Sequence, residues 1–409
     1  MLAAETQAVA GAFPPGAVRF VGGCVRDTVL GRPIGDIDLA TPLRPDDVTT
    51  RLEAAGIKVV PTGLKHGTVT AVSGGRPFEI TTLRVDVSTD GRRAVVAFTD
   101  DWDRDAARRD FTMNALSLEP DGRLHDPFGG EADALAGRVR FVGDADQRIV
   151  EDYLRLLRYF RFLAHYGRNG ADGAQPDAGA LAACRRHAPQ LDRLSGERIG
   201  TEVLRLLAAP DPTAVVRLMA QEEIWTHAVP ARAPGASAVE RLRALVTVEG
   251  VGTGADPLRR LAVLVPPGAA SAVADRLRLS RADAARLEAL VREVEPIDPD
   301  LSEVALLRRL HAEGGPLVRD RAILAWAASL AEGRLPDRRS AEDWRALLAR
   351  AAAWVEPRLP VGGDDARSLG LKGPAIGQAL SALREWWIGE RHVPDRDACL
   401  AKLRAIARP

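Results

Sequence analysis

Two aspartates separated by a single isoleucine lie in "VGGCVRDTVLGRPIGDIDLAT", which runs from residue 21 to residue 41. Residues two apart in a β-strand point to the same side, so Asp36 and Asp38 would share one face while Ile37 pointed to the core. Two carboxylates about 6–7 Å apart at Cα can converge on a hard cation, and Mg²⁺ prefers a few carboxylates together with phosphate oxygens. The spacing therefore indicates a metal–nucleotide site; the alternative is a pair of surface turn residues.

The residues just before the two aspartates favour the metal–nucleotide site. "VGG" followed by "VRD" predicts a strand, a tight glycine turn and the start of a helix. Gly22 and Gly23 would let backbone N–H groups approach a phosphate, and the helix N-terminus favours anions. Arg26 is placed to hold a triphosphate. A glycine pair alone is typical of an ordinary turn, but this combination within one strand–helix–strand unit is more specific.

The elements that must position these residues change in character along the chain. Residues 18–142 contain short strand-like runs: "VRFVGG", "DIDLAT", "TVTAV", "FEITTLR", "AVVAFT" and "ALSLE". "DDVTTRLEAAG" predicts an amphipathic helix that ends at Gly56. After Gly143 apolar residues recur at spacings of three and four, which predicts one helix through "DADQRIVEDYLRLLRYFRFLAHYG" and helices beyond it.

The composition is that of a globular protein with no global attraction to polyanions. The 409 residues carry a formal net charge of zero, so a nucleic acid would have to be bound by a local patch. Cys24, Cys184 and Cys399 are far apart and fit no zinc-binding spacing, which predicts a reduced, cytoplasmic protein. The start lacks a basic stretch and no apolar run reaches about 18 residues, so neither a signal peptide nor a membrane span is expected. No protein partner is evident.

Four ordered motifs resemble those of the class II tRNA nucleotidyltransferases and the bacterial poly(A) polymerases. They are "GGCVRDTVLGRPIGDIDLAT", "DAARRDFTMNAL", "DPFGG" and "EDYLRLLRYFRF", and "GLKGPAIGQALSALREWW" is similar to a tail segment of that family. The resemblance implies an α+β fold, with a polymerase-β-like nucleotidyltransferase head around a small mixed sheet, followed by an all-α neck, body and tail. The expected divisions are 1–143 (head), 144–230 (neck, base reading), 231–330 (body) and 331–409 (tail, tRNA contact).

The resemblance implies transfer of a nucleoside monophosphate from ATP or CTP to an RNA 3′-hydroxyl, with release of pyrophosphate. In a two-metal displacement one ion activates the attacking hydroxyl and the other stabilises the leaving phosphates. Asp36 and Asp38 would hold the Mg²⁺ ions. Glu79 in "FEITTLR" is the candidate third catalytic carboxylate, and its alternative is a strand-edge charge.

The second motif supplies further candidate nucleotide contacts. By the resemblance, Arg109 and Asp110 would contact the ribose and phosphates, with Asn114 as an additional member. The alternative for Arg108 and Arg109 is a solvated helix face.

The fourth motif is expected to read the base. Asp152 and Arg155 are spaced i, i+3 and would lie on one helix face. An aspartate accepts from an exocyclic amine and an arginine donates to a ring nitrogen, so the pair suits cytosine and adenine but not uracil or guanine. Arg158 and Arg161 follow at the same spacing and would reach phosphate or orient the base. The alternatives are an Asp152–Arg155 salt bridge and a basic helix face.

Two segments bear on which member of the family this is. "PTGLKHGTVTAV" (61–72) favours a tRNA nucleotidyltransferase over a poly(A) polymerase, and the loop 84–102 with its "DGRR" turn favours full CCA addition over a CC-only or A-only enzyme. The expected partners are the tRNA 3′ acceptor end, ATP and CTP. Arginines of the helical part, such as Arg185 and Arg198, either bind tRNA or are solvated.

The dipeptide His125–Asp126 lies inside the third motif, which argues against a phosphohydrolase. A non-catalytic RNA-binding scaffold would have lost the carboxylates.

Overall fold

The computed structural model describes residues 3–63, 67–89, 94–170, 173–333 and 338–408. The chain forms two compact units. The first unit comprises Met1–Pro234 together with Asp275–Leu279, and the second comprises Gly235–Ala274 together with Ser280–Pro409. None of the helices in the described residues has the length and apolar character needed to cross a membrane.

The first unit begins with the strand-rich region that the sequence predicts. Its elements are α1 (Ala4–Gly11), β1 (Arg19–Val21), α2 (Gly23–Val29), β2 (Asp38–Thr41), α3 (Pro45–Ala54), β3 (Lys58–Gly63), β4 (Thr68–Ser73), β5 (Arg76–Thr82), β6 (Arg84–Thr89), β7 (Ala94–Phe98), α4 (Trp102–Ala107), a 3₁₀ turn (Thr112–Asn114), β8 (Ser117–Leu118), β9 (Leu124–His125) and α5 (Gly130–Ala136).

Seven of these strands form one mixed sheet in the order β3-β4-β5-β2-β1-β8-β9, and β6 pairs with β7 separately. Strands β2 and β5 run parallel, whereas the other pairs are antiparallel. Apolar side chains of the sheet, such as Phe20, Leu39 and Phe78, are buried against α1 and α3. The predicted α+β fold with a small mixed sheet is confirmed.

The expectation that both aspartates belong to a strand is wrong for Asp36. Strand β2 begins only at Asp38, and Asp36 lies in the loop before it. The register pairs Phe20 with Leu39, so a continuation of β2 towards its N-terminus would need Gly22 as a partner for Ile37. Gly22 instead leaves the sheet and starts the turn into α2, which removes that partner.

In its described residues, the rest of the first unit is helical apart from two short paired strands. Its elements are α6 (Ala145–Glu151), α7 (Leu154–Tyr166), β10 (Asn169–Gly170), β11 (Gly173–Ala174), α8 (Ala178–His187), a 3₁₀ helix (Ala188–Arg193), α9 (Gly196–Leu207), α10 (Thr213–Gln221) and α11 (Trp225–Ala228). The single helix predicted through residues 144–166 is wrong, because the chain breaks at Asp152, whose backbone is extended (φ −154°, ψ 105°).

The second unit is helical in its described residues, as predicted. Its elements are α12 (Ala236–Val248), a π turn (Glu249–Thr253), α13 (Pro257–Leu264), α14 (Ala270–Leu277), α15 (Arg281–Val291), α16 (Glu303–Glu313), α17 (Gly315–Ala331), α18 (Arg338–Ala352), α19 (Gly363–Ser368), α20 (Pro374–Gly389) and α21 (Arg396–Ala407). The last residues of α14 belong to the first unit. The division of the helical part into neck, body and tail stays a prediction.

A pair of histidines faces each other within the second unit. The Nε2 atoms of His311 on α16 and His392 after α20 are 2.9 Å apart. The His392 ring packs on the indole of Trp387 with centroids 4.4 Å apart. Burial, and then the neighbouring imidazole of His311, lower the pKa of His392 below its ordinary value.

Candidate active site

A pocket of about 700 Å³ lies in the first unit, where the β1–α2 turn, β2 and β5 meet the residues around α7 and α9. Most of the predicted site residues line it: Gly22, Gly23, Arg26, Asp38, Glu79, Arg109, Asp110, Asn114, Asp152, Arg155 and Arg158. Asp36 and Arg161 are not among its lining residues. The pocket also contains Arg84, Arg108, Phe162 and Arg198, which the motif analysis had not assigned to it.

Three carboxylates lie close together where the central strands β2 and β5 of the sheet meet the pocket. Asp38 and Glu79 are opposite each other in the β2–β5 register, so their side chains share a face. Asp36 is exposed and Asp38 half-buried, while Ile37 is 3% exposed, which confirms the predicted alternation.

The electrostatics of these carboxylates indicate a deficit of positive charge. Burial raises the pKa of Asp38, and the charges of Glu79 and Asp36 raise it further, whereas Arg109 lowers it. Within the described part of the chain, no ion pair within 4 Å involves any of the three carboxylates. No three histidine, cysteine, aspartate or glutamate side chains of the described residues already stand in a metal-binding cluster. The oxygen donors thus match a hard cation in kind, and Asp38 in particular would be stabilised by one.

The glycine turn has a steric reason as well as a conformational one. Gly22 has φ +71° and donates its N–H to the carbonyl of Leu116 at 3.3 Å. A Cβ atom at this position would lie 3.2 Å from Nη1 of Arg109. Only glycine therefore combines this backbone conformation with the close approach of the arginine.

Arg26 is engaged by the protein itself. It is 7% exposed and donates to Asn114 Oδ1 at 2.8 Å, to the Tyr166 hydroxyl at 2.6 Å and to both carboxylate oxygens of Asp27 at 2.9 and 3.0 Å. These bonds join α2 to the 3₁₀ turn and to the end of α7. Its contact with a triphosphate stays a prediction.

A buried aspartate that sequence reasoning missed holds two arginines at the pocket. Asp105, on α4, is 3% exposed and accepts from Arg108 at 2.8 and 2.9 Å, from Arg109 at 3.2 Å and from the backbone N–H of Arg84 at 3.1 Å. Burial would raise the pKa of Asp105, but the two guanidinium groups outweigh it and the pKa is lowered. The alternative of a solvated face for Arg108 and Arg109 is wrong. The i, i+3 and i, i+4 spacing in "DAARRD" was the available signal.

Each oxygen of the Asp110 carboxylate accepts two hydrogen bonds. Its Oδ1 atom accepts from the N–H of Phe111 and from Nδ2 of Asn114, both at 2.9 Å. Its Oδ2 atom accepts from Nε of Arg158 at 2.7 Å and also from Nη2 of Arg158. Burial alone would raise the pKa of Asp110, but Arg158 and these hydrogen bonds lower it below its usual range. A contact of Asp110 with ribose stays a prediction.

The relation predicted between Asp152 and Arg155 needs correction. The two residues do not share a helix face, because Asp152 lies between α6 and α7 and only Arg155 is helical. The salt bridge between them, offered as the alternative, is also wrong. Arg155 pairs with Glu151 at 2.6 Å, and Asp152 pairs with Arg198 at 2.7 Å. Both residues nevertheless line the same pocket.

The remaining arginines of the fourth motif are supported from α9. Glu202 is 4% exposed and accepts from Nε of Arg161 at 2.6 Å, and its other oxygen is 3.9 Å from Arg158. The guanidinium of Arg161 also lies 4.6 Å above the ring of Phe162. The alternative of a solvated basic helix face is therefore wrong for Arg161, which is paired and partly buried. Sequence reasoning missed Glu202, although it lies four residues after Arg198 in the amphipathic "GERIGTEVLRLL".

The chain is similar to known proteins over most of its length. The model of the poly A polymerase head domain matches residues 18–140, and the model described as a probable RNA and SrmB-binding site of polymerase A matches residues 175–234. The mitochondrial CCA tRNA nucleotidyltransferase 1 of Danio rerio is 35% identical over 396 residues, which cover 94% of this chain and 86% of that protein. The CCA-adding enzyme of Geobacillus thermodenitrificans is 40% identical over 210 residues, 51% of this chain and 50% of that protein. The crystal structure of the Bacillus stearothermophilus CCA-adding enzyme in complex with CTP has a TM-score of 0.76 and 26% identity, and covers 99% of this chain and 98% of that one.

Proposed function

Because the chain belongs to the family of CCA tRNA nucleotidyltransferases, we propose that it is an enzyme that adds C, C and A to the 3′ end of tRNA without a nucleic-acid template. CTP and ATP supply the nucleotides, and pyrophosphate is released. The observation that carries the proposal is the pocket in which the carboxylate pair Asp38 and Glu79 shares one cavity with Asp152 and Arg155. Chemistry and base selection would therefore take place in one site.

The metal of the reaction would be Mg²⁺, held by Asp36 and Asp38 with Glu79 as the third carboxylate. A bound divalent cation supplies activation of the attacking hydroxyl and stabilisation of the leaving phosphates. The raised pKa of Asp38 beside two other carboxylates supports this assignment, because a cation relieves their repulsion. Arg109, held by Asp105, would neutralise phosphate charge beside the glycine turn.

Base selection would rest on the donor–acceptor pattern of Asp152 and Arg155. Cytosine and adenine each offer an amine to the aspartate and a ring nitrogen to the arginine, whereas uracil and guanine would set an acceptor against the aspartate and a donor against the arginine. A uracil or guanine base would form neither hydrogen bond, and each lost bond costs about 1–3 kcal/mol, so two cost about 2–6 kcal/mol. This corresponds to a rejection of roughly thirtyfold to ten-thousandfold. One protein surface can thus accept C and A in turn.

Poly(A) synthesis and partial CC-only or A-only addition are the alternatives within the same chemistry. The full-length relatives carry the name CCA tRNA nucleotidyltransferase, which supports complete CCA addition. Both segments used for the distinction lie partly outside the described residues, since residues 64–66 and the "DGRR" stretch at 90–93 are not described. The discrimination therefore needs a product assay.

The test offers the purified protein a tRNA that lacks its 3′ CCA, with each nucleoside triphosphate alone and with CTP plus ATP. We expect CTP alone to extend the tRNA by two residues and both nucleotides together to extend it by C-C-A and then stop. A long A tail would indicate a poly(A) polymerase, C-C or a single A a partial enzyme, and an unextended tRNA that still binds would indicate a scaffold.

We further propose a cytoplasmic location and the division into head, neck, body and tail with the boundaries given above. The three cysteines are free and buried, which supports a reducing compartment. Cell fractionation tests the location, and recovery in an organelle fraction would contradict it. Limited proteolysis tests the boundaries near residues 143, 230 and 330, where cuts are expected first.

A further inference from the structure

We propose that Arg198 positions Asp152 for base recognition and so helps to determine nucleotide specificity. This inference rests on the proposed function, since base selection presupposes nucleotidyl transfer. It gives α9, which supplies Arg198, a part in the base recognition that the sequence analysis assigned to the fourth motif alone.

The carboxylate of Asp152 is held from two directions. Its Oδ1 atom accepts from the backbone N–H of Leu154 at 3.1 Å, and its Oδ2 atom accepts from Nη2 of Arg198 at 2.7 Å. Two bonds to different oxygens fix the plane of the carboxylate. Each oxygen keeps a second lone pair, so Asp152 can still accept a hydrogen bond from the amine of a base.

Arg155, whose salt bridge with Asp152 was the alternative to base reading, binds other groups. Its Nη1 atom donates to Glu151 at 2.6 Å and to the carbonyl of Arg148 at 3.2 Å, and its Nη2 atom donates to the carbonyl of Arg108 at 3.1 Å. In the part of the chain that the structure describes, Arg198 makes the only ion pair of Asp152. Without Arg198 the carboxylate would keep one backbone bond and could rotate.

Arg198 is itself well placed to act as a fixed support. It lines the same pocket, and its Nη1 atom is shielded from solvent without a described hydrogen-bond partner. The start of α9 is held by close backbone packing, because a Cβ on Gly196 or Gly200 would lie 2.2 Å from the carbonyl oxygens of Arg276 and Leu277. A rigid helix therefore carries the guanidinium that orients Asp152.

The experiment uses the full-length protein and a tRNA that lacks its 3′ CCA. We would measure kcat/KM for CTP and for UTP in wild type, Arg198→Met, Arg198→Lys, Asp152→Ala and the double variant Asp152→Ala/Arg198→Met. Arg205→Met is the matched control, since Arg205 lies on the same helix, is exposed and loses the same charge. Thermal melting of every variant reports on folding.

We expect Arg198→Met to lower the CTP-to-UTP ratio about tenfold, the size expected for one charge-assisted hydrogen bond. Arg198→Lys should restore part of the ratio, and Arg205→Met should leave it unchanged. The double variant should discriminate no worse than Asp152→Ala, because Arg198 acts through Asp152.

Two results would overturn the positioning role: an unchanged CTP-to-UTP ratio in Arg198→Met, whether or not both nucleotides lose kcat/KM equally, or additive losses of the ratio in the double variant. If Arg198→Met does not fold, Arg198→Lys decides: the lysine variant should keep only part of the CTP-to-UTP ratio, so a folded lysine variant with the full wild-type ratio also overturns the role. Failure of the proposed function is a separate outcome, because the wild type would then extend the tRNA with neither C nor A.

Discussion

Replacing Asp110 by asparagine separates two roles for this buried carboxylate. The structure shows Asp110 joining the 3₁₀ turn to α7 through four donated hydrogen bonds. The family resemblance instead suggests contact with the ribose and phosphates. A structural joint predicts a large loss of stability, whereas a pure nucleotide contact predicts weaker nucleotide binding in a protein that melts normally.

The expected cost follows from the four partners of Asp110, all of which are donors. Asparagine offers one acceptor oxygen and one NH₂ group, so its NH₂ must face donors on one side or the other. At least two hydrogen bonds are lost, and bonds to a charged group contribute about 1.5–3 kcal/mol each. The Arg158 side chain is 31% exposed and keeps Glu202 at 3.9 Å, which moderates the loss to about 3 kcal/mol.

For a unit of this size, about 3 kcal/mol corresponds to a fall in melting temperature of about 6–12 °C. The assay is thermal melting of wild type, Asp110→Asn and the control Asp121→Asn, with CTP affinity measured for each. The Asp121 side chain is 57% exposed and pairs with Arg123, which is 67% exposed, so loss of this charge should cost less than about 1 kcal/mol. If Asp110→Asn melts like Asp121→Asn while losing CTP affinity, the structural role is refuted.

The same pair of variants carries a pH signature. The pKa of Asp110 is lowered in the folded protein, so the stability that its charge contributes is present above the unfolded pKa of about 3.9 and is lost as pH falls through the folded pKa. The difference between wild type and Asp110→Asn should be complete at pH 7 and shrink below about pH 4. A difference that stays constant down to pH 3 would contradict this account.

Three further predictions concern other positions. Asp38→Asn should lower nucleotidyl transfer by more than about 100-fold without lowering the melting temperature in EDTA, because the charge it removes is repelled by its neighbours; a folded variant with near-native turnover in Mg²⁺ would exclude the metal role. Gly22→Ala should weaken CTP binding by displacing Arg109. The control Gly16→Ala has a similar positive φ but an open Cβ site, so it should cost roughly 1–2 kcal/mol in stability and leave CTP affinity unchanged. Equal CTP affinities of the two variants, measured by titration, would refute the steric argument. Because the pKa of His392 is lowered in the folded protein, the unfolded chain binds the proton at higher pH, and the stability of the wild type should fall as the pH drops from about 7 to 5. In denaturant titrations, His392→Asn, in which asparagine tolerates the positive φ of 62°, should show a flatter dependence of stability on pH. Identical pH dependence in the two proteins would contradict the assignment.

Local sequence patterns predicted much of the fold and the side of the pocket that carries the carboxylates. The alternation of polar and apolar residues around Ile37 and the glycine turn at Gly22 depend on near neighbours, and both were predicted correctly. Strand β9 was missed because Leu124–His125 is too short to show a period of two. Strand β3 was missed because Pro61 and Gly63 read as loop residues. Local sequence patterns do not predict pairing between strands that lie far apart in the sequence.

The interior of the pocket shows that limit. The helical period of apolar residues runs through Asp152 without interruption, so nothing local announced the break before α7. Asp152, at the break, pairs with Arg198, which lies 46 positions away in the sequence. Asp110 likewise pairs with Arg158, which lies 48 positions away. The sequence motifs identified most of the residues that line the pocket, but which acid pairs with which arginine is decided by tertiary packing, such as that of α7 against α9.

The pairing of the charged residues in the pocket affects how the base preference of such an enzyme can change in evolution. Asp110 with Arg158, and Asp152 with Arg198, each place an acid from one segment against an arginine from another. A single substitution in either pair leaves the remaining partner with an unpaired charge. A lineage that changes its base preference must therefore pass through a less stable protein or exchange both partners. Among related chains we expect these two pairs to covary, and laboratory selection for a new base preference to enrich double substitutions at 152 and 198 over single ones.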